Sequence, residues 1–315
     1  MKLHSNKPWL ALAVGTAVVG TLPWLVSEFM ASVLLSCLMY IALATSWSLF
    51  CGATRYLSLA TSAFFGIGAY ASATLLGSLP WPLVIVAGAL IAAVLAVVMG
   101  AAVLHLRGTY FAVLTFGMTE LIRHAVTFVE KQVSGTVGRV LTVVPSNETV
   151  YLTVLLIAAG AIATAIAVQR SRFGLALSGI GADEQRAQTL GVDTRLAKIA
   201  GFGITAAFAG AVGAAMAVRW TYIEPAAVFS PFIGFQTVLI ALIGGAASIG
   251  GPVLAAIVFS LLAETLRLQL PYGYMMVLGL LLILCVMYLP NGLATLWQRK
   301  RAAMPATPAT EAGHV

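Results

Sequence analysis

Residues 81–104 read WPLVIVAGALIAAVLAVVMGAAVL and contain no charged side chain. A helix of about 20 apolar residues is long enough to cross the roughly 30 Å hydrocarbon core of a bilayer. The stretch therefore predicts a transmembrane helix.

The rest of the chain has a similar composition. Of its 315 residues, 61% are hydrophobic and 9% are charged, whereas a soluble domain carries roughly a quarter charged residues. Lipid must therefore solvate much of the surface. We predict an all-α polytopic membrane protein in which residues 1–301 form one transmembrane domain of about ten helices. The predicted spans are 9–27, 30–51, 56–77, 81–104, 109–129, 150–168, 199–218, 232–249, 252–268 and 271–290.

The basic residues predict the orientation of these spans, because lysine and arginine concentrate in cytoplasmic loops. An N-in/C-in arrangement puts twelve of them inside and four outside. The inside set is Lys2, Lys7, Arg55, Arg107, Arg170, Arg172, Arg186, Arg195, Lys198, Arg299, Lys300 and Arg301, and the outside set is Lys131, Arg139, Arg219 and Arg267. Residues 302–315 are rich in alanine, proline and threonine, and predict a disordered cytoplasmic tail.

Several other functions are disfavoured. The net charge of +7 does not indicate nucleic-acid binding, because the basic residues lie at the ends of apolar runs rather than in one patch. The run from Trp9 to Val26 resembles a signal peptide but lacks a convincing cleavage site, so we expect a retained helix. No phosphate-binding Gly-x-x-x-x-Gly-Lys-Ser/Thr segment and no metal-ligating cluster occurs, so we expect neither cofactor nor catalysis in this chain.

The longest predicted cytoplasmic loop, residues 169–198, contains a short helix. Asp183 and Glu184 complement the positive end of the helix dipole in its first turn. Gly191 can supply a left-handed stop. A helix of two turns is not stable alone in water, so it must rest on something. The residues themselves leave open whether that is the lipid headgroups or a partner protein.

Two pairs of opposite charges lie within predicted spans, Glu120 with Arg123 and Glu264 with Arg267. A spacing of three puts both members of a pair on one helical face. A charge at the bilayer centre costs on the order of 3 kcal/mol on insertion scales. Each pair is therefore either a local ion pair near a helix end or part of a solute pathway or its gate. Their recurrence about 144 residues apart hints at an internal repeat.

Two glycine-rich stretches have two interpretations each. Gly66 and Gly68 give one span a small-residue face, which allows another helix to approach closely or contributes to a pathway. The second stretch precedes Pro252 and contains Gly244, Gly245, Gly250 and Gly251. It predicts a broken helix, which is either a structural hairpin or a pathway element.

Five motifs occur along the chain in a characteristic order. They are AFFGIGAY at 63–70, LRGTYFAVLT at 106–115 followed by Glu120-x-x-Arg123, DEQRAQTLGV at 183–192, AAFAGAVGA at 206–214 and IGGAASIGGP at 243–252. Together they cover about residues 52–267. The ordered set resembles permeases of the branched-chain amino acid ABC importer family, and is most similar to that family's M-type permease.

The resemblance implies a non-catalytic transport subunit in the bacterial inner membrane. Its expected partners are two ATP-binding subunits, a second and similar permease, a periplasmic solute-binding protein and membrane lipid. In ABC permeases a short cytoplasmic coupling helix seats in a cleft of the ATP-binding subunit. The residues carried over to that contact are Asp183, Glu184, Gln185, Arg186, Ala187, Thr189, Leu190 and Gly191.

The resemblance also suggests a small polar solute, with a branched-chain or other amino acid expected first. The family usually has a Gly-His pair where this chain has Ala60, Thr61 and Ser62, so urea, amides and small aromatic acids remain alternatives. Two rival functions come from other classes. A secondary transporter would need Glu120 or Glu264 as a coupling group, and a passive channel would need neither.

Overall fold

The computed structural model describes residues 7–280 except 107, 142, 143, 221, 247, 271, 272, 275 and 278. Over this part of the chain the structure is helical apart from one two-stranded ribbon, which confirms the predicted all-α class. Seven helices are long and apolar enough to cross a membrane. The chain is therefore a multi-pass membrane protein.

The helices follow the predicted spans. In chain order they are α1 (Lys7–Thr21), α2 (Glu28–Trp47), α3 (Thr61–Leu75), α4 (Trp81–Val103), α5 (Thr109–Ser134), α6 (Asn147–Arg170), α7 (Arg172–Ala182), α8 (Glu184–Thr189), α9 (Thr194–Met216), α10 (Pro225–Val228), α11 (Pro231–Gly244) and α12 (Gly250–Gln269). The seven candidates contain α2, α4, α5, α6, α9 and α12, and the run Pro225–Gly244 that joins α10 and α11. With 15 residues each, α1 and α3 are too short to count, so the predicted number of about ten is not confirmed. Much of the predicted span 271–290 and the whole tail 302–315 lie outside the described residues.

Helix α9 lies at the centre of the bundle and packs against α2, α3, α4 and α6. Glycine makes the contact with α3 close. A Cβ added at Gly68 would overlap the carbonyl oxygen of Gly210, and one at Gly213 would overlap that of Phe65. A Cβ added at Gly66 would overlap the aromatic ring of Phe229. These contacts favour the helix-packing interpretation of Gly66 and Gly68.

A π-helical turn, Ser48–Gly52, continues α2 and brings the chain into an aromatic cluster. Phe50 contacts the rings of Tyr56 and Phe202. The indole N–H of Trp47 donates to the backbone carbonyl of Ser58 at 2.8 Å. Residues 55–60, which form neither helix nor strand, are thus held between the π-helical turn and α3 by contacts of Tyr56 and Ser58.

Helices α11 and α12 form a hairpin that breaks at the predicted glycine-rich stretch. Gly244 and Gly251 touch so closely that a Cβ on either would overlap the backbone of the other. Gly245 has a φ of +84°, a conformation that favours glycine. Ser248 Oγ accepts a hydrogen bond from the N–H of Gly251 at 3.1 Å. The break is therefore built as a tight structural hairpin, and a Cβ at Gly250 would meet open space.

At the opposite end of the bundle, α5 continues beyond its predicted end and stops at Gly135, whose φ is +69°. The buried carboxylate of Glu130 then organises the following loop. It accepts hydrogen bonds from the Tyr70 hydroxyl at 2.9 Å, the Gly138 N–H at 2.9 Å and Arg139 Nε at 3.2 Å. This loop carries strand β1 (Arg139–Val140), which pairs antiparallel with β2 (Tyr222–Ile223).

Candidate functional site

The predicted short helix is α8, which lies between α7 and α9. Asp183 is its N-cap, because the Asp183 carboxylate accepts hydrogen bonds from the backbone N–H groups of Gln185 at 3.0 Å and Arg186 at 3.1 Å. These are two of the donors that a helix N-terminus leaves without an intrahelical partner. The predicted start of the helix is confirmed.

Gly191 ends α8, also as predicted, and has a φ of +85°. Its N–H donates to the carbonyl of Gln188 at 2.9 Å, and the N–H of Val192 donates to the carbonyl of Ala187 at 3.1 Å. This pair of bonds is the Schellman motif. The Asp193 carboxylate then caps α9 by accepting a hydrogen bond from the backbone N–H of Leu196 at 3.0 Å. Local chemistry therefore sets both ends of α8, although the helix has only six residues.

A buried ionic network holds α8 against the bundle. The Lys198 ammonium on α9 donates to the Glu184 carboxylate at 2.7 Å, to the Leu104 carbonyl at 2.8 Å and to the Tyr56 hydroxyl at 3.2 Å. The Tyr56 hydroxyl donates to the other Glu184 oxygen at 2.8 Å. Four chain segments meet here: α8, α9, the end of α4 and the segment after the π-helix. Such a network is rigid because each charge is satisfied by directed bonds.

The network corrects the interpretation of two residues. The charge pattern assigns Lys198 to membrane topology, yet its side chain is only 6% exposed and is fully engaged in the network. Glu184 is predicted to contact a partner, but its side chain is 8% exposed and anchors α8 instead. Ala187 is buried as well. Glu184 and Lys198 are 14 residues apart in the chain, and the glycine that ends α8 lies between them. Their ion pair therefore cannot be predicted from the spacing of residues along one helix.

The other predicted docking residues face outward. Gln185, Arg186, Thr189, Leu190 and Gly191 are exposed, and Asp183 is partly exposed. Leu190 is 83% exposed, which is unusual for a large apolar side chain at a polar helix end. Leu175 on α7 and Leu196 on α9 are also exposed. We call Leu175, Arg186, Leu190 and Leu196 the docking face, after the contact that the sequence predicts for this loop.

The docking face lies at the same end of the bundle as the π-helix and the hairpin turn at 245–249. Gly181 on α7 packs against the carbonyl of Ala53 so closely that a Cβ would overlap it. A cavity of about 420 Å³ lies between α7, the π-helix and the hairpin turn, and its lining includes Ser48, Arg55 and Ser248. Helix α7 therefore touches the residues that follow the π-helix, and the hairpin turn lies across the cavity from it.

The two predicted charge pairs are both ion pairs within one helix. Glu120 and Arg123 on α5 are 2.5 Å apart, and Glu264 and Arg267 on α12 are 3.7 Å apart. Glu120 lies near the middle of its helix and Glu264 near the end of its own, so the pairs do not occupy equivalent positions and the internal repeat stays a prediction. Glu264 and Arg267 line a second cavity, far along the chain from α8.

Helix α5 is packed much less than its neighbours, although it carries charges at mid-span. Within the most apolar stretch of 18 residues in each span, 11% is buried in α5, against 72% in the span that contains α9. Its exposed stripe comprises Tyr110, Val113, Gly117, Leu121, His124 and Phe128. Ionisable groups at this depth seldom face lipid. We therefore expect protein to cover this face.

Comparison with known proteins gives one family. A sequence profile described as "Branched-chain amino acid transport system / permease component" matches residues 29–287. The permease protein LivM of the high-affinity branched-chain amino acid transport system of Escherichia coli K12 is 27% identical, over 86% of this chain and 71% of that protein. The LivM protein of Salmonella typhimurium LT2 is 26% identical with the same coverage. No solved structure matches the chain.

Proposed function

The chain belongs to the family of branched-chain amino acid transport system permease components, and from that premise we propose that it is the membrane-spanning subunit of an ATP-driven importer. Residues 1–301 form its transmembrane domain, and the N-in/C-in orientation puts loop 169–198 in the cytoplasm. The chain translocates a small polar solute. A branched-chain amino acid is the first candidate, because the relatives carry that name, and urea, amides and small aromatic acids follow.

One observation carries the proposal: α8 exposes an apolar and a basic side chain, while a buried ion pair fixes the same helix to α9. Leu190 and Arg186 project from α8, while Glu184 on the same helix is tied to Lys198. A helix resting on lipid headgroups would need no buried ion pair to α9, since the headgroups would hold it. A helix that receives force from a partner needs a stiff connection to the spans. The arrangement therefore favours docking of an ATP-binding subunit over a passive connector.

In the complete importer, two ATP-binding subunits would bind the docking faces of two permeases. A periplasmic solute-binding protein would deliver the solute at the opposite end. Closure of the ATP-binding subunits on ATP would move α7 and α8, and the network through Lys198 would pass that movement to α9 and α4. The spans would then alternate between inward-facing and outward-facing arrangements.

Changing the docking face tests the proposal. We expect Leu190→Asp to abolish ATP-driven uptake and co-purification of the ATP-binding subunits, because a charge would replace the apolar side chain that a partner cleft buries. Leu270→Asp, the same change at an exposed position just beyond the end of α12, is the matched control. Uptake and co-purification are measured with the importer reconstituted in liposomes.

Two results would contradict the proposal. Normal uptake by Leu190→Asp would remove α8 from the docking contact. Uptake driven by an ion gradient without any ATP-binding subunit would make the chain a secondary transporter. The double change Asp183→Lys/Glu184→Lys is a poor test, because Asp183 is a helix cap and Glu184 is buried against Lys198.

The exposed stripe of α5 is where we place the second permease. Gly117 lies on this stripe, and nothing lies within 4 Å of the point where a Cβ would stand, so a partner helix could approach it closely. We expect a photoactivatable crosslinker attached to Gly117→Cys to form a covalent bond with the adjacent permease in membranes. Gly15→Cys on α1, equally exposed and equally open, is the control. Crosslinking at residue 15 and not at 117 would assign the interface to another helix.

A further inference from the structure

A cavity of about 420 Å³ opens between α2, α9, α11 and α12, near the end of the bundle away from α8. Its size is within the range of sites that bind small molecules. The polar and charged residues in its lining include Tyr40, Arg219, Gln236, Ser260, Glu264 and Arg267.

Buried polar side chains in its lining distinguish this cavity from a gap between apolar side chains. Tyr40 and Gln236 are each less than a tenth exposed, and the Tyr40 hydroxyl donates to Gln236 Oε1 at 2.8 Å. Ser260 is 5% exposed, and its hydroxyl has no nitrogen or oxygen partner among the described residues, only the weakly bonding thiol of Cys37. Burying a hydroxyl without a good partner is unfavourable, because the group loses its hydrogen bonds to water and gains none in return. A ligand in the cavity could supply the missing bond.

The charges at the cavity are arranged for a ligand with both signs of charge. The Glu264–Arg267 pair is separated by 3.7 Å, which is longer than the 2.5 Å of the pair on α5. A zwitterion can replace this loose pair without changing the net charge, because its ammonium group meets Glu264 and its carboxylate meets Arg267. Arg219, which donates to Ser32 Oγ at 2.8 Å, adds a second cation to the cavity lining.

Apolar residues complete the lining. Met39, Phe65, Met216, Phe232 and Ile233 all face the same cavity. They offer a hydrophobic surface to an aliphatic side chain, whereas urea and short amides have no group that would use it. Methionine side chains also adapt their shape to ligands of slightly different size.

We propose that this cavity is a solute subsite within the permease, and that it binds a zwitterionic α-amino acid with an apolar side chain. Glu264 and Arg267 hold the two charged groups, Ser260 and Gln236 bond to the carboxylate or ammonium, and the methionines contact the side chain. The inference rests on the proposed transport function, but it adds a binding site that transport alone does not require.

Protection from chemical labelling tests the subsite. Ser36→Cys, at a lining position to which the proposal gives no bond to the solute, is made with Cys37, Cys51 and Cys285 replaced by alanine, in the complete reconstituted importer. We expect millimolar L-leucine to slow labelling of residue 36 by a small cationic methanethiosulfonate at least threefold, and urea to leave it unchanged. Leu270→Cys, exposed just beyond the end of α12 and outside the cavity lining, is the control. Its labelling should not respond to either solute.

A second experiment removes one charge of the Glu264–Arg267 pair and repeats the protection measurement. Glu264→Gln or Arg267→Gln should raise the L-leucine concentration that gives half-maximal protection about tenfold. The proposal would be overturned if L-leucine left labelling of residue 36 unchanged while ATP-driven leucine uptake was normal, or if urea protected as well as L-leucine. Absence of any ATP-driven uptake would instead overturn the proposed function, so the two failures are distinguishable.

Discussion

Replacing Lys198 with methionine should destabilise the protein by about 3–5 kcal/mol and abolish ATP-driven uptake, because the change removes the ammonium group and leaves a buried carboxylate behind. Lys198 is 5% exposed and donates to Glu184, Leu104 and Tyr56. The same substitution disconnects α8 from α9 and α4. The measurement is the thermal unfolding midpoint in detergent together with uptake in liposomes.

The double variant Glu184→Gln/Lys198→Met separates stability from coupling. It removes both charges and keeps an acceptor for the Tyr56 hydroxyl, so at least half of the lost stability should return. Uptake should stay low, since the ionic connection between α8 and α9 is still missing. A double variant with wild-type uptake would mean that the network only stabilises the fold and does not transmit movement.

Replacing Gly68 with leucine should prevent correct assembly of the bundle. Any Cβ at this position overlaps the backbone carbonyl of Gly210 on the central helix α9. Backbone, unlike a side chain, cannot rotate away, so α3 must separate from α9 and lose buried contacts along its length. Overpacking typically destabilises by about 1–3 kcal/mol, and we expect this site to exceed that range. The yield of monodisperse protein from membranes is the measurement.

Gly117→Leu is the matched control when the chain is expressed without partner subunits. It also places leucine at a helical glycine, but nothing lies within 4 Å of the Cβ position. The Gly117 variant should therefore be recovered in normal amounts when the chain is expressed alone. Equal recovery of the Gly68 and Gly117 variants would show that α3 and α9 are not in close contact.

The positions of most long helices could be predicted from the sequence, and so could the first and last residues of α8. Apolar runs of transmembrane length identify most long helices, because the hydrophobic requirement is local to each span. Asp183 and Gly191 set the bounds of α8 through hydrogen bonds within a few residues. The broken helix at 244–251 was also predictable, since glycine and proline act on their own backbone.

The charged residues were harder to assign. Arg186 and Lys198 both look like topology signals in the sequence, but the structure exposes the first and buries the second. The same holds for Asp183 and Glu184, which are adjacent in the chain and differ in burial. The last turns of α5 give a further example, because Glu130 bonds to Tyr70, which is 60 residues away. No local pattern marks such partners.

The amino-acid sequence by itself determined that this protein is an all-α membrane protein, where its main helices lie and where α8 begins and ends. These properties depend on hydrophobicity and on bonds between near neighbours. Only the tertiary structure decided which face of α8 is free, which charges are buried and which polar residues share a cavity. Those properties depend on contacts such as Glu184 with Lys198 and Tyr40 with Gln236, made between segments that are separated in the chain and meet only after the helices pack.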